Sequence, residues 1–284
     1  MIPWNQVTII GAGLIGGSLG LALKKFGLAA AVVGVGHRQA SLDDALALGA
    51  VDRVVLDPAI GVRGSDLVVL ATPVSLFRKT LESAGPALAP AAIVIDVGST
   101  KAAVVESMES LMPDGREFVG CHPIAGSERR GIAHARADLF SGAVCVVTPT
   151  DRTPADALGR VITTWARVGM TVRILSPGQH DRLLAEVSHL PHIVAASLVK
   201  AIGPEAESLA GPGWADTTRV ASGDPALWRD ILISNAAEVA AAIEKFQDTL
   251  AAFRDALRRG DAARLEALLA ESKGRRDGRV SGRT

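Results

Sequence analysis

Gly11-Ala12-Gly13-Leu14-Ile15-Gly16 lies between an apolar run, Val7-Thr8-Ile9-Ile10, and a segment of helical spacing over residues 14–26. This G-x-G-x-x-G pattern, after a strand and opening a helix, restricts the fold more than any other feature of the chain. Gly11 allows a tight turn, Gly13 lets backbone N–H groups approach an anion, and Gly16 permits close helix–strand packing. With Leu14 and Ile15 the pattern begins a helix whose N-terminus favours a pyrophosphate. A dinucleotide-binding βαβ unit is expected.

Residues 31–35, 67–70 and 93–95 are further apolar runs. Continuous runs, rather than alternating ones, suit strands buried on both faces of a parallel sheet. Residues 144–147 and 172–175 read as the last strands, flanking a helix near 155–168. The expected class is an α/β, Rossmann-type, doubly wound and mainly parallel sheet. After Ser176 the pattern changes, and residues 177–203, 235–259 and 262–272 read as helices. The expected organisation is a nucleotide-binding domain over 1–176 and an all-α domain over 177–272. Residues 273–284 carry many Arg and Gly and no apolar period. They read as a disordered tail, for which nucleic-acid binding is a minor alternative.

The formal net charge is +0. A nucleic-acid or membrane-surface protein would carry a basic excess. Two cysteines, Cys121 and Cys145, fit a reducing compartment and exclude a disulfide scaffold. The start of the chain lacks the basic and apolar segments of a signal peptide, and no apolar run has membrane-spanning length. A soluble cytoplasmic protein that handles a small molecule is expected, with no nucleic-acid or membrane partner.

The second strand ends in Gly34-Val35-Gly36-His37-Arg38-Gln39-Ala40-Ser41. An NAD site usually has an acid here for the ribose hydroxyls. None appears before Asp43. Arg38, with His37 and Ser41, suits a 2′-phosphate instead, which favours NADP over NAD. The alternative is that Arg38 is a solvated surface residue. Thr72-Pro73 and Asp96-Val97-Gly98-Ser99-Thr100-Lys101 each follow a buried strand and should line the cleft.

His122 stands in the Gly/Pro-punctuated segment Gly120-Cys121-His122-Pro123-Ile124-Ala125-Gly126-Ser127-Glu128, which reads as a loop. Imidazole titrates near neutrality and can accept a proton beside a redox cofactor. Ser99 is either a partner for a substrate hydroxyl or a helix cap. Ser188-His189-Leu190-Pro191-His192 puts two histidines on one helix face, but only two ligands are local and no H-E-x-x-H exists, so no metal is expected. Arg219, in Asp216-Thr217-Thr218-Arg219, suits capture of a carboxylate or an internal salt bridge. Trp228 is either core or a cleft wall.

On the GAGLIGGS turn, Ala71-Thr72-Pro73, the DVGSTK loop, HPIAGSE, SHLPH and DTTR…LWRDI, the chain resembles the prephenate/arogenate dehydrogenases of tyrosine biosynthesis. The resemblance implies oxidative decarboxylation of prephenate to 4-hydroxyphenylpyruvate, or of arogenate to tyrosine, with hydride transfer to NAD(P)+. It implies that His122 accepts the hydroxyl proton, that Ser99 positions hydroxyl and imidazole, and that Arg219 binds a carboxylate. It places His189, His192 and Trp228 in the pocket, and Glu128 and Asp216 near the substrate side chain. It also implies a homodimer through the helical domain. The chain stops soon after its helices, so no fused chorismate mutase or regulatory domain is expected.

Two other readings remain at this point. β-Hydroxyacid dehydrogenases share the fold and typically use a helical-domain lysine, but here Lys200 and Lys245 lie in unremarkable settings. A cofactor-sensing protein without catalysis is the other.

Overall fold

The computed structural model describes residues 4–126, 129 and 131–281. Glu128 therefore lies outside the described residues. Eight strands form one sheet: β1 (Trp4–Ile10), β2 (Ala29–Val35), β3 (Arg53–Val55), β4 (Leu67–Leu70), β5 (Ile93–Asp96), β6 (Glu117–Ile124), β7 (Val144–Thr148) and β8 (Thr171–Ile174). Their order is β3-β2-β1-β4-β5-β6-β7-β8. All neighbours are parallel except β6 and β7. The strand order reverses between β1 and β4, and in open α/β sheets ligands bind beyond the carboxyl ends at such a point.

The apolar runs are strands because both faces of the sheet are covered. In β4, Leu67 and Val69 enter one core cluster while Val68 and Leu70 enter the other. In β5, Ile93 and Ile95 face the first and Val94 the second. Helices α1 (Leu14–Lys25), α2 (Gln39–Ala47), α3 (Pro58–Gly61), α4 (Phe77–Ala84), α5 (Ala102–Leu111) and α6 (Ala155–Arg167) connect and cover the strands. Trp165 of α6 is fully buried and meets Phe140 edge-on at 5.7 Å.

Every element after β8 is helical: α7 (Pro177–Leu184), α8 (Leu190–Ala201), α9 (Pro204–Glu207), α10 (Pro212–Thr218), α11 (Pro225–Ser234), α12 (Ala236–Arg259) and α13 (Ala262–Ser281). The chain divides into two compact units, 1–235 and 236–284. Helices α7 to α11 thus belong to the same compact unit as the sheet, beyond the compositional change at Ser176.

Two sequence expectations need correction. The segment of His122 is the end of strand β6, not a loop. β6 pairs with β5 only as far as Val119, then continues antiparallel to β7 with His122 opposite Val146. Pro123 is tolerated because N–H groups alternate in direction along a strand. The Cys121 N–H points away from β7, to the Asp96 carboxylate at 3.0 Å. Pro123, two residues on, faces the same open side, so its missing N–H removes no ladder bond. The second correction concerns the tail. Residues 273–281 continue α13 rather than lying disordered. Lys273 and Asp277 pair one turn apart there, which favours the helix despite Gly274 and Gly278.

Candidate active site

The glycine turn closes tightly on the sheet. Gly11 has φ +105°, and a Cβ there would lie 2.6 Å from the Ala71 carbonyl at the end of β4. A Cβ on Gly16 would lie 2.2 Å from the Gly11 oxygen. Gly13 is the N-cap of α1 and brings no side-chain cap, so the first-turn amides have no side-chain acceptor. A groove of about 350 Å³ runs over this turn, lined by Gly13, Leu14, Ile15, Thr72, Pro73 and Gly98 among others. The Thr72 hydroxyl is buried there without a protein partner. A helix N-terminus lacking a side-chain acceptor and an unpartnered hydroxyl in one groove suit a pyrophosphate-bearing ligand. His37 and Arg38 are exposed at the end of β2, with Ser41 half-buried on α2.

A second cavity, of about 550 Å³, lies next to the groove. Ser99, His122, Pro123, Ala125, Gly126, Leu227 and Ile231 line both. His189, Arg219 and Trp228 line the second cavity alone. His192 stands behind Trp228, stacked on its indole at 3.6 Å with the rings 9° apart. The structure therefore brings together Ser99, His122, His189, Arg219 and Trp228, with His192 as support. Asp216 does not join them: it is exposed on α10 and absent from the lining.

The helix that carries His189 is deformed. Between α7 and α8, residues Ala185–His189 form a π-helical turn. Pro191 stands two residues on, in the first turn of α8, and a proline in a continuous helix removes one N–H and crowds the preceding turn. Asn235 Nδ2 stands 3.2 Å from His189 Nδ1. An amide nitrogen only donates, so His189 Nδ1 accepts and its proton is on Nε2. Burial pushes the His189 pKa down to about 4, the Asp181 charge opposing and the neighbouring histidines reinforcing the shift. His189 is thus a neutral hydrogen-bond donor at working pH. Among the described lining residues, Arg219 carries the fixed positive charge, and no ion pair among the described residues engages it. Asp224 also lines the cavity, but its carboxylate accepts the Leu227 amide as the cap of α11.

Behind the cavity lies a network that the sequence reading did not contain. His122 Nδ1 is 2.8 Å from His180 Nε2. His180 Nδ1 is 2.7 Å from Asp181 Oδ1. Asp181 also accepts the amides of Lys101 at 2.7 Å and Ala102 at 2.8 Å. Lys101 is the N-cap position of α5 and supplies no side-chain cap. Asp181 therefore caps α5 from another helix, and Ser99 is free of that task. Burial lowers the His122 pKa well below the ordinary imidazole range, and His180, Lys101 and His189 add to the effect. Burial also lowers His180, against the hydrogen bond to Asp181. For Asp181, burial pushes upward, but hydrogen bonds from His180, Ala102 and Lys101 outweigh it, and the carboxyl stays ionised. The adjacent pair His180-Asp181 at the start of a helix was visible in the sequence. Its partners, about eighty residues earlier, were not.

The model of the prephenate dehydrogenase nucleotide-binding domain matches residues 19–174, and that of the prephenate dehydrogenase dimerization domain matches residues 176–271. The chain belongs to the prephenate dehydrogenase family. It is 33% identical over 281 residues to the prephenate dehydrogenase of Bacillus subtilis, covering 96% of this chain and 76% of that protein. A crystal structure of prephenate dehydrogenase from A. aeolicus, in complex with hydroxyphenyl propionate and NAD+, superposes with a TM-score of 0.91 at 33% identity, covering 96% of this chain and 98% of that one. Synechocystis arogenate dehydrogenase gives 0.84 at 30% identity, covering 96% and 99%. A 3-hydroxyisobutyrate dehydrogenase of Mycobacterium tuberculosis, 16% identical with a TM-score of 0.54, shares the fold alone. Members of this family are NAD(P)-dependent oxidoreductases. Among the described residues, no helix is long and apolar enough to cross a membrane, and no cluster of three or more metal-ligating side chains occurs.

Proposed function

We propose that the chain catalyses oxidative decarboxylation of prephenate or arogenate, with His122 as base. One observation carries this reading: His122 and Ser99 form the wall shared by the glycine-turn groove and the larger cavity. A base at that junction borders both the cavity that would take the substrate and the groove that would hold the nucleotide.

A nicotinamide held in the groove over the glycine turn would supply the acceptor for the hydride that leaves the hydroxyl-bearing ring carbon. His122 Nε2 takes the hydroxyl proton, and Ser99 holds the hydroxyl in line. Loss of the ring carboxylate as carbon dioxide returns its bonding electrons to the ring, which becomes a phenolate. The phenolate takes back one proton, so His122 serves first as base and then as acid, and the reaction releases no net proton. Arg219 holds a substrate carboxylate, His189 donates from Nε2, and Trp228 forms an apolar wall against the ring. Water exclusion and orientation supply most of what an aromatising reaction requires.

The reading favours NADP, because Arg38 stands where an NAD site presents an acid. It also takes a homodimer through the helical part of the chain. The family model at 176–271 supports this, as do the exposed leucines Leu250, Leu257 and Leu269. Steady-state rates for prephenate and arogenate, each with NAD+ and NADP+, test the proposal. No turnover in any of the four combinations would overturn it.

A further inference from the structure

We propose that Asp181 is a positioning residue that sets both catalytic groups at once. Through His180 it fixes the ring orientation and tautomer of His122, and through the amides that open α5 it fixes the loop carrying Ser99. The inference rests on the reading of His122 as base and goes beyond it.

The tautomer follows from donor and acceptor requirements. An ionised carboxylate only accepts, so His180 Nδ1 must donate to Asp181 Oδ1 across 2.7 Å. A neutral His180 then has its lone pair on Nε2. His122 Nδ1 lies 2.8 Å from that nitrogen and must carry the proton. The remaining nitrogen, His122 Nε2, is left unprotonated. That is the atom that has to accept a proton from substrate. Once it does, His122 Nδ1–H still donates to His180 Nε2, so the ring keeps its orientation through the proton transfer.

The second arm is equally direct. The two oxygens of Asp181 take the Lys101 and Ala102 amides at 2.7 and 2.8 Å. Ser99 lies two residues before Lys101, on the same loop. Asp181 is 2% exposed and His180 fully buried, so neither touches substrate and both have fixed surroundings. Other charged and titratable groups facing this cluster are the buried Lys101–Asp96 pair on the α5 side and His189 on the π-turn side. None of them bonds to a ring nitrogen of His122 or His180 among the described hydrogen bonds.

The test is nitrogen-15 NMR of the histidine rings together with steady-state kinetics. In the wild-type protein with NADP+ or NAD+ bound, the His122 ring should show a protonated Nδ1 and a free Nε2. The opposite tautomer would overturn the proposal without reference to any substrate. His180→Phe should mix the tautomers and lower kcat by about 10- to 100-fold, less than the roughly 10⁴-fold lost when a triad carboxylate stops directing its histidine. KM and nucleotide affinity should change less than about threefold. His180→Gln, which offers an acceptor near the same position, should recover most of the lost kcat. Asp181→Asn should cost more than His180→Phe, because the Ser99 loop is also released. The double variant should be no worse than Asp181→Asn alone. Fully additive losses, or an effect on KM alone, would overturn the proposal. If Asp181→Asn does not fold, the His180 pair and the wild-type tautomer still decide. A wild-type protein inactive on prephenate and arogenate would sink the functional reading, while the tautomer measurement would still judge the relay.

Discussion

Lys101 and Asp96 form a fully buried ion pair directly behind the strand that carries His122. Asp96 Oδ2 receives the Lys101 ammonium and the Gly98 amide, and Oδ1 receives the Cys121 amide at 3.0 Å. The carboxylate thus ties β5, the Ser99 loop and β6 together. Removing one partner of such a pair leaves a buried charge unmatched and costs about 3–5 kcal/mol. Lys101→Met should therefore lower stability by roughly that amount in urea unfolding, with m unchanged. A loss within the range of ordinary surface substitutions would show that the pair contributes little.

His122→Asn removes the proton acceptor but leaves the glycine turn untouched. Turnover should fall about 10²- to 10⁴-fold, the usual contribution of a general base, with nucleotide affinity unchanged. The base form persists to low pH because burial first, then His180 and Lys101, disfavour the imidazolium. The acid limb of log kcat/KM should accordingly fall below about pH 6.5, the ordinary imidazole value. Near-normal turnover in His122→Asn would remove His122 from the mechanism.

Much of this was legible in the sequence, for reasons that differ from residue to residue. β1, the glycine turn and α1 are local in sequence, and the double burial of β4 and β5 writes itself as continuous apolar runs. Ser99, His122 and Arg219 stood out because polar groups in apolar or glycine-rich settings are conspicuous. His122 was misplaced on a loop because Pro123 reads as a breaker unless one knows that its N side faces no neighbouring strand. The helical end of α13 was missed because its glycines outweighed the Lys273–Asp277 pairing in the pattern. Asp181 was invisible as a cap because the helix it caps begins eighty residues earlier, and tertiary capping leaves no local signature.

Arg219→Ala should raise the KM for substrate about 10- to 100-fold, the range of a lost charge-assisted hydrogen bond to a carboxylate. The nucleotide KM should hardly move, because Arg219 lines the larger cavity and not the glycine-turn groove. Equal effects on both constants would argue that Arg219 shapes the protein rather than the substrate.

Arg38→Asp tests the nucleotide preference. Wild type should favour NADP+ over NAD+ in kcat/KM. The substitution should cut NADP+ use by roughly tenfold or more, by removing a charge-assisted contact and placing a carboxylate near the 2′-phosphate. A wild type that prefers NAD+ would show Arg38 to be a solvated residue.

Stability should depend on His189 in acid. Burial, opposed in part by Asp181, holds the folded-state pKa at about 4, against about 6.5 in the unfolded chain. Between those values the unfolded chain binds the extra proton and the folded one does not. The unfolding free energy must then rise with pH across this window and be lost as pH falls from about 6.5 to about 4. Buried His122 and His180 shift in the same direction and steepen the slope. His189→Gln should keep a donor toward the cavity while removing one titrating group, so its urea midpoint should fall less between pH 7 and pH 4.5 than that of wild type. Identical slopes would mean that His189 titrates in the folded protein as it does in the unfolded chain, against the effect of its burial.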